Sequence, residues 1–344
     1  MMASAQLRRA RPRARRLDAG VMMLVVGAAT SYLGGCELTE VTVTESEDVV
    51  IVEAQLTINL ADGGGTSLGV YAYLHRTLSG ERADEVEGAS VRVSGASHAV
   101  VHLEAADSGG VCLAPLREED DDETDDDFEL DVGSCYRASI SPSPFSPGET
   151  LELEVVVPDG RILTGVSRVP DAFDFIGLTH EDGHCRIEPD TNYRFNWTEA
   201  TGTWSYLSDT WIEGLPEALA GQDVEVPDSL YLTGFAIGEK DTDILFPGEY
   251  GLFDLGEQAD ADLLRILDDG LPGGASAEVA FAATDRNWVN WARGGNFNPS
   301  GLIRIPSVFG DGTGFFGTAT QRSLNVVSAP ADNDRPPLCG PAEP

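Results

Sequence analysis
The chain has 344 residues and a formal net charge of −36 at pH 7, with 22 basic residues against 58 acidic ones. Such a surface repels phosphate backbones, so nucleic acid is excluded as a partner. Hydrophobic content of 42% is that of a globular chain, and the length allows two domains.

Residues 1–35 have the zones of an export signal. Six arginines crowd positions 8–16, and residues 21–33 are apolar and uncharged. That run is shorter than the roughly 20 residues a spanning helix needs. It ends on Leu33-Gly34-Gly35-Cys36, which resembles the bacterial lipobox. The expectation is cleavage before Cys36 and acyl chains such as palmitate on its thiol, so that the protein meets the membrane through this lipid. Each buried methylene of such a chain contributes about 0.8 kcal/mol. Arg15-Arg16 fits a twin-arginine signal poorly. Residues 36–48 then form the lipidated cysteine and a polar tether. Glu37 is not the aspartate that retains some lipoproteins in the inner membrane, so lipid anchoring in the outer membrane is expected.

Residues 49–170 are expected to form an immunoglobulin-like β-sandwich. Strand-like runs fall at 49–59, 68–75, 90–94, 98–104, 135–140, 150–157 and 161–168, many alternating apolar and polar residues. Asp159-Gly160 is a hairpin signal. The acidic stretch 118–131 interrupts the domain as a loop whose carboxylates suit loose cation association but lack the order of a calcium loop. Val169-Pro170 marks a boundary.

Residues 171–344 are expected to form a second β-rich domain with a short helix. Strands are predicted near 173–178, 192–198, 203–212, 229–237 and 321–328. A helix is predicted over 284–293, capped by Thr284 or Asp285, with Trp288 and Trp291 on one face. Tyr193, Phe195 and Trp197 alternate along one strand and so share a face. With Trp204 and Trp211 they suggest a stacking platform for a sugar or other planar ligand; the competing reading is a sandwich core.

Four cysteines follow Cys36, and an even number in an exported chain points to disulfides. Three pairings are possible; Cys112–Cys135 and Cys185–Cys339 are favoured. The first closes the base of the acidic loop, and the second ties the C-terminal tail to the start of the second domain.

Two segments match catalytic patterns by letter. His180-Glu181-Asp182-Gly183-His184 has the spacing of a zinc-peptidase helix, in which His180 and His184 would bind metal and Glu181 would activate water. Asp182-Gly183 is a turn pair, however, and the preceding run reads as a strand, so a polar turn is expected. Gly312-Thr313-Gly314-Phe315-Phe316-Gly317 matches GxGxxG, but a strand follows instead of a helix, so the glycines are expected to shape a loop or hairpin. No cofactor is implied, and no catalytic residue is assigned.

The Cys36 tetrapeptide, the first half ending at Val169-Pro170, the 193–197 strand, Trp288 to Arg293, Asn298-Pro299 and the stretch Ser307 to Gly317 together resemble an uncharacterised family of Gram-negative outer-membrane lipoproteins. The resemblance spans nearly the whole chain after the leader; the acidic insert departs from it. Members of that family accompany TonB-dependent transporters. This implies a non-enzymatic surface or periplasmic binding role beside a TonB-dependent transporter or other envelope protein, in nutrient capture or surface assembly. The alternatives are a secreted zinc hydrolase using the 180–184 segment, and a purely structural envelope protein.

Overall fold
In the computed structural model the described residues are 48–77, 86–106, 112, 133–222, 224–236, 240–249, 261–293, 305–330 and 336–340. The leader, Cys36, the tether up to residue 47, the acidic stretch 118–131 and Asn298-Pro299 lie outside them.

The protein is mainly β, as its alternating sequence requires. The first half supplies β1 (Val50–Leu60), β2 (Thr66–Arg76), β3 (Ser90–Gly95), β4 (Val100–Ala105), β5 (Ser134–Ile140), β6 (Thr150–Val156) and β7 (Ile162–Arg168). These are the seven predicted strands, with ends shifted by a few residues. In β1 the even positions Val50, Val52, Ala54, Leu56 and Ile58 are fully buried, while the intervening residues, polar except Ile51, face outward.

The seven strands do not form an immunoglobulin-like sandwich. β14 (Val308–Gly310) and the long β15 (Gly312–Ser328) close them into a nine-stranded barrel-like sheet in the order β1-β2-β5-β4-β3-β6-β7-β14-β15, with β15 returning to β1. The closing ladder is parallel and runs from Val50↔Gly312 to Asn59↔Gln321. Closure pairs both outer edges, whereas a sandwich leaves sheet edges open. The GxGxxG stretch is therefore the first part of a strand. A Cβ on Gly314 would sit 2.0 Å from the Val52 carbonyl oxygen, and one on Gly312 would sit 2.4 Å from that of Val50. The glycines let two backbones approach at the barrel seam.

The far half of β15 leaves the barrel and becomes part of an open sheet. Its neighbours are β8 (His184–Ile187) on one side and β13 (Ser276–Thr284) on the other, followed by β10 (Ser205–Glu213) and β11 (Ser229–Ala236). β9 (Tyr193–Asn196) and β12 (Asp243–Phe246) form a separate two-stranded sheet. Three α-helices lie among the described residues, α1 (Leu215–Ala218), α2 (Ala261–Asp269) and α3 (Arg286–Arg293), with a short 3-10 turn at Asp62–Gly64. One buried cluster fills the barrel, from Val50 to Val169 with Val308 and Phe316; the other runs from Phe173 to Cys339 under the open sheet. Val169-Pro170 falls between these clusters, while β15 passes through both halves as one strand.

Asp285 caps α3, one of the two expected caps. Its Oδ1 accepts from the Trp288 amide at 2.9 Å. Trp291 stacks on Phe315, centroids 5.5 Å apart, and Gly317 leaves room for Trp288. Asn287 donates to the carbonyls of Val166 and Phe316, both at 2.9 Å, bridging β7 and β15.

Candidate binding groove
β4 and β5 are neighbours in the barrel that share only a short ladder. They pair at Glu104↔Arg137 and Ala105↔Tyr136 only. Continued antiparallel pairing would set Leu103 opposite Ala138 and His102 opposite Ser139, and neither pair forms. On their other sides β4 pairs with β3 and β5 with β2. Where the strands diverge, a groove of about 810 Å³ opens on the barrel wall. That volume is within the range of small-ligand and peptide sites.

One row of the groove crosses four strands in register: Gln55, Tyr71, Arg137, Glu104. Tyr71 Oη donates to Gln55 Oε1 at 2.8 Å. Burial, reinforced by the nearby Glu53 carboxylate, pushes the Tyr71 hydroxyl up to about 12, so it remains a donor at neutral pH. The next row places Gly69 between Thr57 and Ser139. A Cβ on Gly69 would meet nothing within 4 Å, so this position is the hollow of the groove. His102 adds an imidazole, and the Cys112–Cys135 disulfide forms part of the wall.

Sequence reasoning did not find this groove. Its polar residues sit at alternate positions of ordinary strands and come together only through register.

Both expected disulfides are present: Cys112–Cys135, with α-carbons 5.5 Å apart, and Cys185–Cys339, at 5.0 Å.

The expected aromatic platform is divided. Phe195 and Trp197 are buried and Tyr193 is half-buried, because β9 presents this face to the second core. Phe195 packs on Phe246 and Phe281, and Trp197 on Tyr206 and Phe281, with centroids 5.2–5.7 Å apart. These residues are core anchors and cannot stack on a ligand. Trp204 and Trp211 are exposed: Arg286 lies 5.0 Å over the Trp204 ring, and Trp211 meets Tyr231 across strands.

The 180–184 segment is a turn. Glu181 and His184 exchange both backbone hydrogen bonds, and Asp182 and Gly183 have φ of 49° and 77°. Two successive positive φ angles are the signature of a tight hairpin turn. The helix on which the zinc-peptidase pattern depends is absent here. His180 Nδ1 lies 3.3 Å from Asp62 Oδ2, and His184 begins β8. Among the described residues, no group of three or more His, Cys, Asp or Glu is placed to hold a metal ion.

No family model and no curated protein matches this sequence. Among solved structures, it is similar to a cycloalternan-degrading enzyme from Trueperella pyogenes at 13% identity and a TM-score of 0.26. The match covers 78% of this chain and 34% of the enzyme, so the chain spans about a third of that protein's length.

Proposed function
We propose that the protein is an exported, lipid-anchored, non-enzymatic binding component of the cell envelope, and that its groove receives an extended polypeptide segment of a partner. The observation that carries this reading is the divergence of β4 and β5 beside a hollow of about 810 Å³. Strand edges without a ladder partner are templates for strand addition, which derives affinity from main-chain hydrogen bonds and selectivity from alternate side chains. Arg137, Glu104 and Gln55 would read those side chains. The two disulfides support an oxidising compartment. A TonB-dependent transporter or another envelope protein would supply the segment.

A photoreactive residue replacing Ser139 is expected to crosslink a partner polypeptide in intact membranes. Adding Gly69→Trp, which fills the hollow, is expected to reduce that yield about tenfold, equivalent to about 1.4 kcal/mol of binding. An unchanged yield in the filled variant would remove the groove from the reading, and no crosslink at all would leave a structural envelope protein.

Anchoring has its own test. Cys36→Ser is expected to move the protein from the detergent phase to the aqueous phase in phase partitioning. Detergent partitioning as strong as that of the unaltered protein would place the anchor elsewhere.

A further inference from the structure
The face of the open sheet that points away from the second core carries an ordered row of side chains. Tyr231 lies opposite Trp211, Trp211 opposite Glu278, Glu278 opposite Asn325, and Asn325 opposite His184. The row crosses β11, β10, β13, β15 and β8 at right angles. Four of its members are exposed and Tyr231 is half-buried, while their chain neighbours Ile212, Val279, Leu324 and Val326 are buried on the other face. With strands about 4.8 Å apart, five of them span roughly 19 Å.

We propose that this row is a binding platform for a neutral polysaccharide chain laid across the strands. Trp211 is 38% exposed, and its ring sits 6.3 Å from that of Tyr231. The electron-rich face of an aromatic ring attracts the C–H face of a pyranose. One strand spacing is about the size of one such ring, so successive sugars meet successive strands.

Polar recognition comes from the same face. Asp209, next to Trp211 in the adjoining row, accepts at Oδ1 from Tyr231 Oη at 2.7 Å and from Thr233 Oγ1 at 3.5 Å. Ala280, with its small side chain, stands opposite Asp209, which is half-buried. Glu278 and Asn325 continue the line of acceptors, and hydrogen bonds from hydroxyls to carboxylates are about twice as strong as neutral ones.

Charge selects among glycans. Asp209 and Glu278 on this face, within a chain of net charge −36, repel uronate and sulfated polymers. A polyhydroxyl chain without charge meets no such penalty.

The test is affinity electrophoresis of the full chain through gels containing hydroxyethylcellulose, xyloglucan, glucomannan, soluble starch, dextran or polygalacturonate. At least one neutral polymer is expected to retard the protein, and polygalacturonate is not. Trp211→Ala and Glu278→Ala are each expected to weaken that retardation about tenfold or more, equivalent to about 1.4 kcal/mol. Trp211→Tyr should keep most of it, and Gly69→Trp should leave it unchanged, which separates this face from the barrel groove. The proposal is overturned if no neutral polymer retards the protein, or if Trp211→Ala is retarded like the unaltered chain. Concentration-dependent self-association abolished by Trp211→Ala, without retardation by any polymer, would assign the face to a second copy of the chain and equally overturn it.

Discussion

Replacing Cys185 and Cys339 together by alanine is expected to lower unfolding free energy by about 2–5 kcal/mol. The bridge joins residues 154 apart in sequence, and the chain-entropy model gives about 5 kcal/mol for a loop of that length. Cys112–Cys135 spans only 23 residues and is worth about 3 kcal/mol by the same reasoning. Both Cys185 and Cys339 are fully buried in the second core. The bridge also holds a backbone extension. The Arg186 amide donates to the Pro337 carbonyl at 2.8 Å, and the Cys339 amide donates to the Arg186 carbonyl at 2.9 Å. Losing the bridge frees this segment and exposes the outer edge of β8. Denaturant unfolding of the oxidised protein and the double variant measures the effect. A loss below about 1 kcal/mol would show that packing alone holds the tail.

Asp285→Ala is expected to cost about 3 kcal/mol or more, because it strands several buried donors at once. Asp285 is 4% exposed and stands where the barrel meets α3. Its Oδ2 accepts from Ser167 Oγ at 2.6 Å, and its Oδ1 accepts from the Trp288 and Thr318 amides at 2.9 and 3.3 Å. Ser167 Oγ lies 2.7 Å from Thr318 Oγ1, so the three side chains form one network between β7 and β15. Alanine removes the acceptor and keeps the donors.

Asp285→Asn separates charge from hydrogen bonding. Desolvation raises the Asp285 carboxyl above its ordinary value, and the hydrogen bonds from Ser167 and the amides offset part of that rise. A carboxyl raised in the folded state binds its proton more tightly there than in the unfolded chain. Its contribution to stability is therefore complete below the unfolded value, roughly 3.9, and is lost as pH rises through the folded value. Asparagine is neutral throughout, and its amide still supplies a capping oxygen. The stability of the unaltered protein relative to Asp285→Asn is thus expected to fall as pH rises from about 4 toward neutrality. Taking the difference between the two proteins cancels Asp209, which is raised for the same first reason. A difference that does not change with pH would mean that the Asp285 carboxylate is not desolvated in the folded state.

Local chemistry was legible in the sequence wherever one segment decides its own conformation. Asp159-Gly160 turns between β6 and β7, and Asp182-Gly183 makes the tight turn before β8 because both residues accept positive φ or pair with one that does. α3 begins at Arg286, directly after its cap Asp285, and ends at Arg293, so it differs from the predicted 284–293 only at the cap. α2 was missed although Leu263 and Leu267, one turn apart, are its buried residues. Asp and Gly around that short run obscured the helical period.

The seven strands of the first half and the mainly β class followed from alternation and turn residues; the even cysteine count pointed to disulfides, and of the three possible pairings the two favoured by position along the chain are the ones that form. The barrel did not follow from any of these. Its closure depends on residue 50 meeting residue 312, and nothing local in β1 specifies a partner so far along the chain. The glycines of β15 looked like a loop because their role is to let another backbone approach, and that backbone is absent from the local sequence. The groove and the outer row of the open sheet were hidden for the same reason. Strand alternation determines which side chains share a face, but only pairing register determines which faces meet, and register is settled by contacts between distant segments.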